Sequence, residues 1–394
     1  MLEGLGNWLA TDLVRAMGNL AMLALVVGIA MRFVSYRQFE AVFEWLRARV
    51  TGPDRPDEIA RAVVARQPTP SGELVEGTGL WISGPVHRPE RYESRVRGAR
   101  VLAVGNLKGG VGKTTVTANL AAYLAGWLEK PVLVVDLDFQ GSLSSLAVRG
   151  AGWLPTPGRD SLATRLISGD VAGARLIGQT LPAAGRSEAE LAGLRVVPAY
   201  YELAQAENRI TVEWLLSDRT LPGNDVRYTL ARVLHDPAVT EHYGAVLLDC
   251  PPRLTVAHIQ ALAAASHLLI PTIFDKMSAE AVVAYAFEVE NLRRRICPHL
   301  AYLGVVGSVW NGDRNLTERN MYLEVQDRLR RPQIEGGLGG RLEVLPQECF
   351  LRDLVWFKSE NIAYATQPYT PQTEKAWGPV EALGAHVIER MELG

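Results

Sequence analysis

The chain begins with an apolar stretch inside a helical pattern, and its later part alternates apolar strands with amphipathic helices. Residues 6–49 read as helix, and their middle, 16–31, is apolar except for Asn19. That run falls slightly short of the about 20 residues that span a bilayer. Leu13, Val14, Phe33 and Val34 extend it if Arg15 and Arg32 snorkel, which predicts a single span over 13–34. Arg32, Arg37, Arg47 and Arg49 follow the span while Glu3 and Asp12 precede it, so the positive-inside rule puts the rest of the chain in the cytoplasm. The competing readings are a buried helical hairpin or an oligomerisation helix in a soluble cytoplasmic protein. The acidic start argues against a cleaved signal peptide.

From 51 to 98 the composition shifts to Pro, Gly, Glu and Arg, the mark of a linker or neck, with one helical candidate at 56–67. Beyond it the pattern predicts strands at 100–106, 131–136, 194–198, 245–249, 267–271, 302–309 and 341–345. Helices are predicted at 113–128, 201–216, 279–295 and 317–331. Strands alternating with helices mark parallel βαβ units. The expectation is an α/β fold, a three-layer doubly wound and mostly parallel sheet, preceded by an N-terminal helical segment. Its parts are the segment at 1–50, a neck at 51–98 and the α/β domain at 99–394. Residues 151–193, rich in Gly, Pro and Ala, read as an insertion.

A chain of 394 residues can bury a large core. Its 41 basic and 43 acidic residues nearly cancel, which argues against a surface built throughout to coat nucleic acid. Cys250, Cys297 and Cys349 have neither disulfide nor zinc spacing, and the histidines form no pair at ligand spacing. Any metal should therefore arrive with a ligand.

The strongest chemical signal is VLAVGNLKGGVGKTTVTANLAAYLA, a strand, a glycine-rich turn and a helix. Gly109, Gly110 and Gly112 let the backbone wrap closely, so that its N–H groups and the helix N-terminus converge on a polyphosphate. In such a loop Lys113 reaches the β- and γ-phosphates and the Thr114 hydroxyl sits on magnesium. Arginine supplies nearly all the positive charge elsewhere, yet this loop carries Lys108 and Lys113; a compact ammonium suits a phosphate cage better than a planar guanidinium.

KGGVGKTT, residues 108–115, resembles the deviant Walker A motif of the ParA/MinD family of P-loop ATPases, with Leu107 where an ordinary P-loop has its first glycine. The resemblance implies ATP and Mg2+ as cofactors, with Gly109, Gly110, Val111, Gly112, Lys113, Thr114 and Thr115 around the nucleotide. It also implies a homodimer that sandwiches ATP, in which Lys108 reaches the partner subunit's phosphates. VLVVDLDFQGS is similar to the family's switch stretch: Asp138 would position or activate the attacking water, Asp136 would support the magnesium, and Gln140 would belong to the same switch. Phe139 stands where the family has proline, a departure that bears on the switch conformation and the hydrolysis rate. YGAVLLDCPPRLT resembles the Walker B stretch, with Asp249 holding magnesium beside Thr114. LGVVGSVWN and EVLPQECFLRD follow in the family's order, so Asn311 would contact the base. The resemblance covers about 100–368.

These readings predict a membrane-associated ATPase that dimerises on ATP and resets its hold on an unknown protein partner by hydrolysis. The alternatives are a partition ATPase that binds nonspecific DNA and a nucleotide sensor in a stress or phage-defence system. Arginines at 293–295 and at 328, 330 and 331 could touch DNA phosphates, but nearby Glu288, Glu290, Glu324 and Asp327 favour ion-paired, solvated helix faces. A tyrosine-kinase reading is set aside, because no tyrosine follows Tyr369.

Overall fold

The structure is a computed structural model. It describes residues 79–82, 84–98, 100–148, 160–171, 173–184, 190–217, 221–311, 316–330, 342–352, 362, 364 and 370–393. The chain divides into two compact units, Met1–Ser83 and Gly84–Gly394. In the first unit the described residues form a short 3-10 turn, Leu80–Ile82.

The second unit is built on one seven-stranded sheet. Its strands are β1 (Val101–Val104), β2 (Val132–Asp136), β3 (Leu181–Ala184), β4 (Glu190–Val197), β5 (Ala245–Asp249), β6 (His267–Thr272) and β7 (Ala301–Gly307), in the order β3-β4-β2-β5-β1-β6-β7. β1 lies near the middle. The chain steps from it towards β2 and β4 on one side, then returns through β5 to β6 and β7 on the other. With right-handed crossovers such a reversal lays helices on both faces. β1, β2 and β5 are buried along their whole lengths, as strands covered on both faces must be.

The helices are α1 (Tyr92–Gly98), α2 (Lys113–Trp127), α3 (Ser142–Ala147), α4 (Leu162–Ser168), α5 (Gly173–Ile177), α6 (Glu202–Leu216), α7 (Thr229–Leu234), α8 (Pro237–His242), α9 (Val256–Ala264), α10 (Lys276–Arg295), α11 (Leu316–Arg330) and α12 (Pro371–Arg390). α2 packs on β2, β4 and β5, and α12 packs on α2. Its Gly384 has no room for a Cβ, which would meet the Tyr123 ring at 2.1 Å.

Three findings depart from the expected pattern. β3 was not anticipated: it pairs antiparallel with β4 at the sheet edge, and its ladder is irregular between Pro182 and Ala183, where an edge tolerates a proline. The stretch expected as a strand at 341–345 makes one parallel bridge, Val305 to Val344. Tyr92, in the stretch read as a neck, is buried and donates its hydroxyl to the Ala263 carbonyl at 2.5 Å.

The expected location at the inner membrane face is corrected. The proposed span at 13–34 and the helical candidate at 56–67 lie outside the described residues. Among the described residues no helix is long and apolar enough to cross a membrane. α10 and α12 have the length, at 20 residues each, but charges such as Lys276, Glu280, Glu374 and Glu381 interrupt them, and a charge is costly in a bilayer core.

Candidate functional site

The carboxyl ends of β1, β2 and β5 bring the candidate residues together. Asp136 and Asp249 are register partners on the adjacent strands β2 and β5, and Val104 is partner to Asp249 on the other side. From β1 the chain runs through the glycine turn into α2. Gly110 and Gly112 have φ values of 75° and 78°, a left-handed backbone that glycine adopts without strain. A Cβ on Gly112 would meet Ser308 Oγ at 2.8 Å. That Ser308 hydroxyl donates to the Val111 carbonyl at 2.7 Å and so pins the turn to the end of β7.

At the start of α2, Thr114 Oγ1 donates to Asp249 Oδ2 at 2.7 Å, and Thr117 Oγ1 lies 3.4 Å from Asp249 Oδ1. Lys113 is buried and its ammonium donates to the Lys108 carbonyl at 2.9 Å. Burial depresses its pKa, against the pull of the Asp249 carboxylate. Burial and the nearby Asp136 charge push the Asp249 carboxyl up to about 8, despite the Thr114 hydrogen bond. Such a carboxylate has a strong demand for a cation.

Asp136 lies beneath the cleft, fully buried. Its Oδ1 accepts from Asp138 N–H at 3.1 Å, while Oδ2 accepts from Ser144 N–H at 2.8 Å and the Ser144 hydroxyl at 2.7 Å. Burial still raises its pKa to about 6. The side chain thereby shapes the loop that presents Asp138, whose Oδ1 accepts from Gln140 N–H at 3.1 Å.

A cleft of about 490 Å3 runs over this edge and is lined by Gly109, Gly110, Gly112, Lys113, Thr114, Thr115, Asp138 and Gln140 among others. Its backbone amides and helix N-terminus suit an anion, and the Thr114–Asp249 pair offers hard oxygen donors to magnesium. Val111 is buried behind the turn. Lys108 and Asn311 do not line the cleft. Lys108 Nζ reaches instead to Asp275 Oδ1 at 3.1 Å and Ser278 Oγ at 2.6 Å, and Asn311 N–H donates to Glu318 at 2.8 Å.

Sequence reasoning missed Asn119, Ser142, Pro252, Ser308 and Arg352, which also line the cleft. Asn119 alone carried a local signal, a polar residue on the apolar side of α2; it donates to the Thr115 carbonyl at 2.8 Å. Three of the cluster arginines meet the acidic neighbours: Arg293 lies 2.7 Å and Arg294 3.8 Å from Glu290, and Arg328 lies 2.9 Å from Glu324. Among the described residues no His, Cys, Asp and Glu cluster forms a separate metal site.

Residues 99–302 match the family described as AAA domain. The chromosome partitioning protein ParA of Caulobacter vibrioides is 32% identical over 222 residues, which span 56% of this chain and 73% of that protein. The chromosome-partitioning ATPase Soj of Thermus thermophilus is 34% identical over 221 residues, again 56% of this chain and 73% of the relative. Among solved structures, cobyrinic acid a,c-diamide synthase from Mycobacterium smegmatis with bound ADP and magnesium has a TM-score of 0.50 at 27% identity and covers 68% of this chain and 90% of its own. Sequence, fold and relatives agree, and the chain belongs to the ParA/MinD family of P-loop ATPases.

Proposed function

We propose that the chain is a ParA-type ATPase switch. It binds ATP with magnesium, pairs with a second copy through the nucleotide, and hydrolyses ATP to reset its hold on a protein partner. The observation that carries this reading is the hydrogen bond from Thr114 to Asp249 under an amide-lined turn that also holds two lysines. The ADP and magnesium bound by the Mycobacterium smegmatis relative support the choice of cofactors.

The residues fit that ligand, and magnesium when bound neutralises charge on the terminal phosphates. Thr114 and Asp249 hold the ion, while Asp136 fixes the adjoining loop. The amides of Gly109, Gly110, Val111 and Gly112, together with Thr115, take the phosphate oxygens. Lys113 stabilises the charge that develops as the γ-phosphate departs. Asp138, supported by Gln140, orients the attacking water. Lys108 acts on the nucleotide of the second subunit, and Asn311 contacts the base.

Titration of the full-length protein with a fluorescent ATP analogue tests the site: affinity should require magnesium and vanish in Lys113→Ala. Light scattering with ATP tests the switch, since Asp138→Ala should accumulate dimer and Lys108→Ala should remain monomeric. Magnesium-independent binding, or dimerisation indifferent to Lys108, overturns the reading.

The names of the Caulobacter and Thermus relatives favour a second reading, a partition ATPase acting on DNA. ATP-dependent and salt-sensitive binding to arbitrary duplex DNA would support it. The ion pairs that Arg293 and Arg328 make with Glu290 and Glu324 make it the second choice.

A further inference from the structure

Two loops leave the sheet side by side, one carrying Asp138 after β2 and one running from Asp249 to Thr255 after β5. Their backbones stay joined for one residue beyond the strands, where Leu137 N–H donates to the Asp249 carbonyl at 3.1 Å. The next tie between them is made by side chains: the Arg253 guanidinium lies over the Phe139 ring, 5.6 Å from its centroid. Asp138 sits between these two ties. Both neighbours of this one carboxylate are thus fastened to the loop that begins at Asp249, and Pro252 of that loop lines the cleft beside Asp138 and Gln140.

Arg253 itself is exposed, and a further carboxyl group acts on it from nearby. Glu207 on α6 is buried, its Oε1 accepts from Ala257 N–H at the start of α9 at 3.3 Å, and its carboxylate lies in electrostatic reach of both Arg253 and Asp138. Phe139 also stands where the resemblance leads one to expect proline. A proline ring restrains its own backbone; phenylalanine does not, and here its ring gains an external tie.

We infer that Phe139 and Arg253 form a positioning pair that clasps the Asp138 loop to the Asp249 loop and sets the rate at which Asp138 directs water onto the nucleotide. The inference rests on the ATPase reading above. Neither side chain holds the nucleotide, so the clasp acts on turnover and not on affinity.

The test is a double-mutant cycle in the full-length protein, with kcat for ATP hydrolysis and the affinity for a fluorescent non-hydrolysable ATP analogue measured side by side. Phe139→Leu and Arg253→Ala should each lower kcat about threefold, the scale of an exposed cation–π contact, with analogue affinity unchanged within about twofold. The double variant should be no slower than either single variant, because one clasp is lost in all three. Arg253→Lys should retain part of the rate, since an ammonium also makes a cation–π contact with the ring face. Losses that multiply in the double variant, an unchanged kcat in the singles, or a fall in affinity without a fall in kcat overturns the clasp while leaving the ATPase reading intact. Wild-type protein that neither binds the analogue nor hydrolyses ATP overturns that reading and the clasp with it.

Discussion

The Lys108 ammonium and the Asp275 carboxylate stand 3.1 Å apart, so the lysine expected to act on a second subunit is held within its own. Against the upward push of burial, the Ser278 N–H and Lys108 hold the Asp275 carboxyl below its ordinary range. Asp275 also caps α10 through that N–H. Asp275→Asn keeps an oxygen for the cap and removes the charge that detains Lys108. A half-exposed pair of this kind contributes at most about 1 kcal/mol. Dimerisation on ATP should therefore tighten about two- to fivefold in Asp275→Asn, with thermal stability nearly unchanged; analytical ultracentrifugation reads the effect, and weaker dimerisation would count against the tether.

Gly110 and Gly112 both lie in the left-handed region, but their surroundings differ. Nothing lies within 4 Å of a Cβ placed on Gly110, whereas on Gly112 it would meet Ser308 at 2.8 Å. Gly110→Ala should cost only the backbone strain of about 1–2 kcal/mol. Gly112→Ala adds a clash with the residue that pins the turn, so it should lose nucleotide affinity altogether and more stability than its neighbour. Urea denaturation and analogue titration of the two variants give the comparison, and equal losses would contradict the steric account.

How much of this was legible in the sequence depends on distance along the chain. Ala245–Asp249 was read with the bounds it has because a strand covered on both faces must be apolar throughout, and its terminal Asp249 stood out for the same reason. The turn from Lys108 to Thr115 could be read because its residues are contiguous. The contacts of Ser308 with Val111 and of Lys108 with Asp275 join positions 197 and 167 residues apart, the first through one polar side chain and the second through two, all of kinds that usually face solvent. β3 escaped because LPAA is short, contains proline and is only partly buried. At the N-terminus an apolar run and the arginines after it gave the membrane location, and neither distinguishes a span from a helix packed against protein.

Glu207 gives the fold a pH dependence that can be isolated. Burial drives its carboxyl up from an ordinary value of 4.5 to about 7, against the Ala257 N–H and Arg253. The folded protein therefore holds a proton that the unfolded chain releases, and stability from this group is lost as pH rises from about 4.5 through about 7. Asp136 and Asp249 bend the profile in the same sense, so the informative quantity is the difference between wild type and Glu207→Gln. Glutamine keeps an oxygen for Ala257 and carries no charge. Relative to wild type, Glu207→Gln should gain on the order of 3 kcal/mol between pH 5 and pH 8. Chemical denaturation across that range measures it, and parallel profiles would show that Glu207 does not titrate there.

Arg227 and Asp225 form an ion pair almost wholly removed from water, with side-chain exposures of 1% and 2%. The guanidinium is forked onto the carboxylate, Nε to Oδ1 and Nη2 to Oδ2, each at 2.7 Å, and it lies over the Trp214 ring at 5.1 Å. The same two residues fasten the beginning of the second unit: Arg227 also donates to the Pro85 carbonyl, and Asp225 accepts from His87 N–H at 2.9 Å. Arg227→Met fills the volume but leaves a buried carboxylate without its cation, which should cost about 3–5 kcal/mol. Asp225→Asn leaves the opposite charge and should cost a similar amount. Because either single change strands a charge that the other would have matched, Asp225→Asn combined with Arg227→Met should cost clearly less than the sum of the two. Urea denaturation of the four proteins closes the cycle. Additive losses would mean that the pair stabilises the fold through its separate contacts with Pro85, His87 and Trp214 and not through the forked bond between its members.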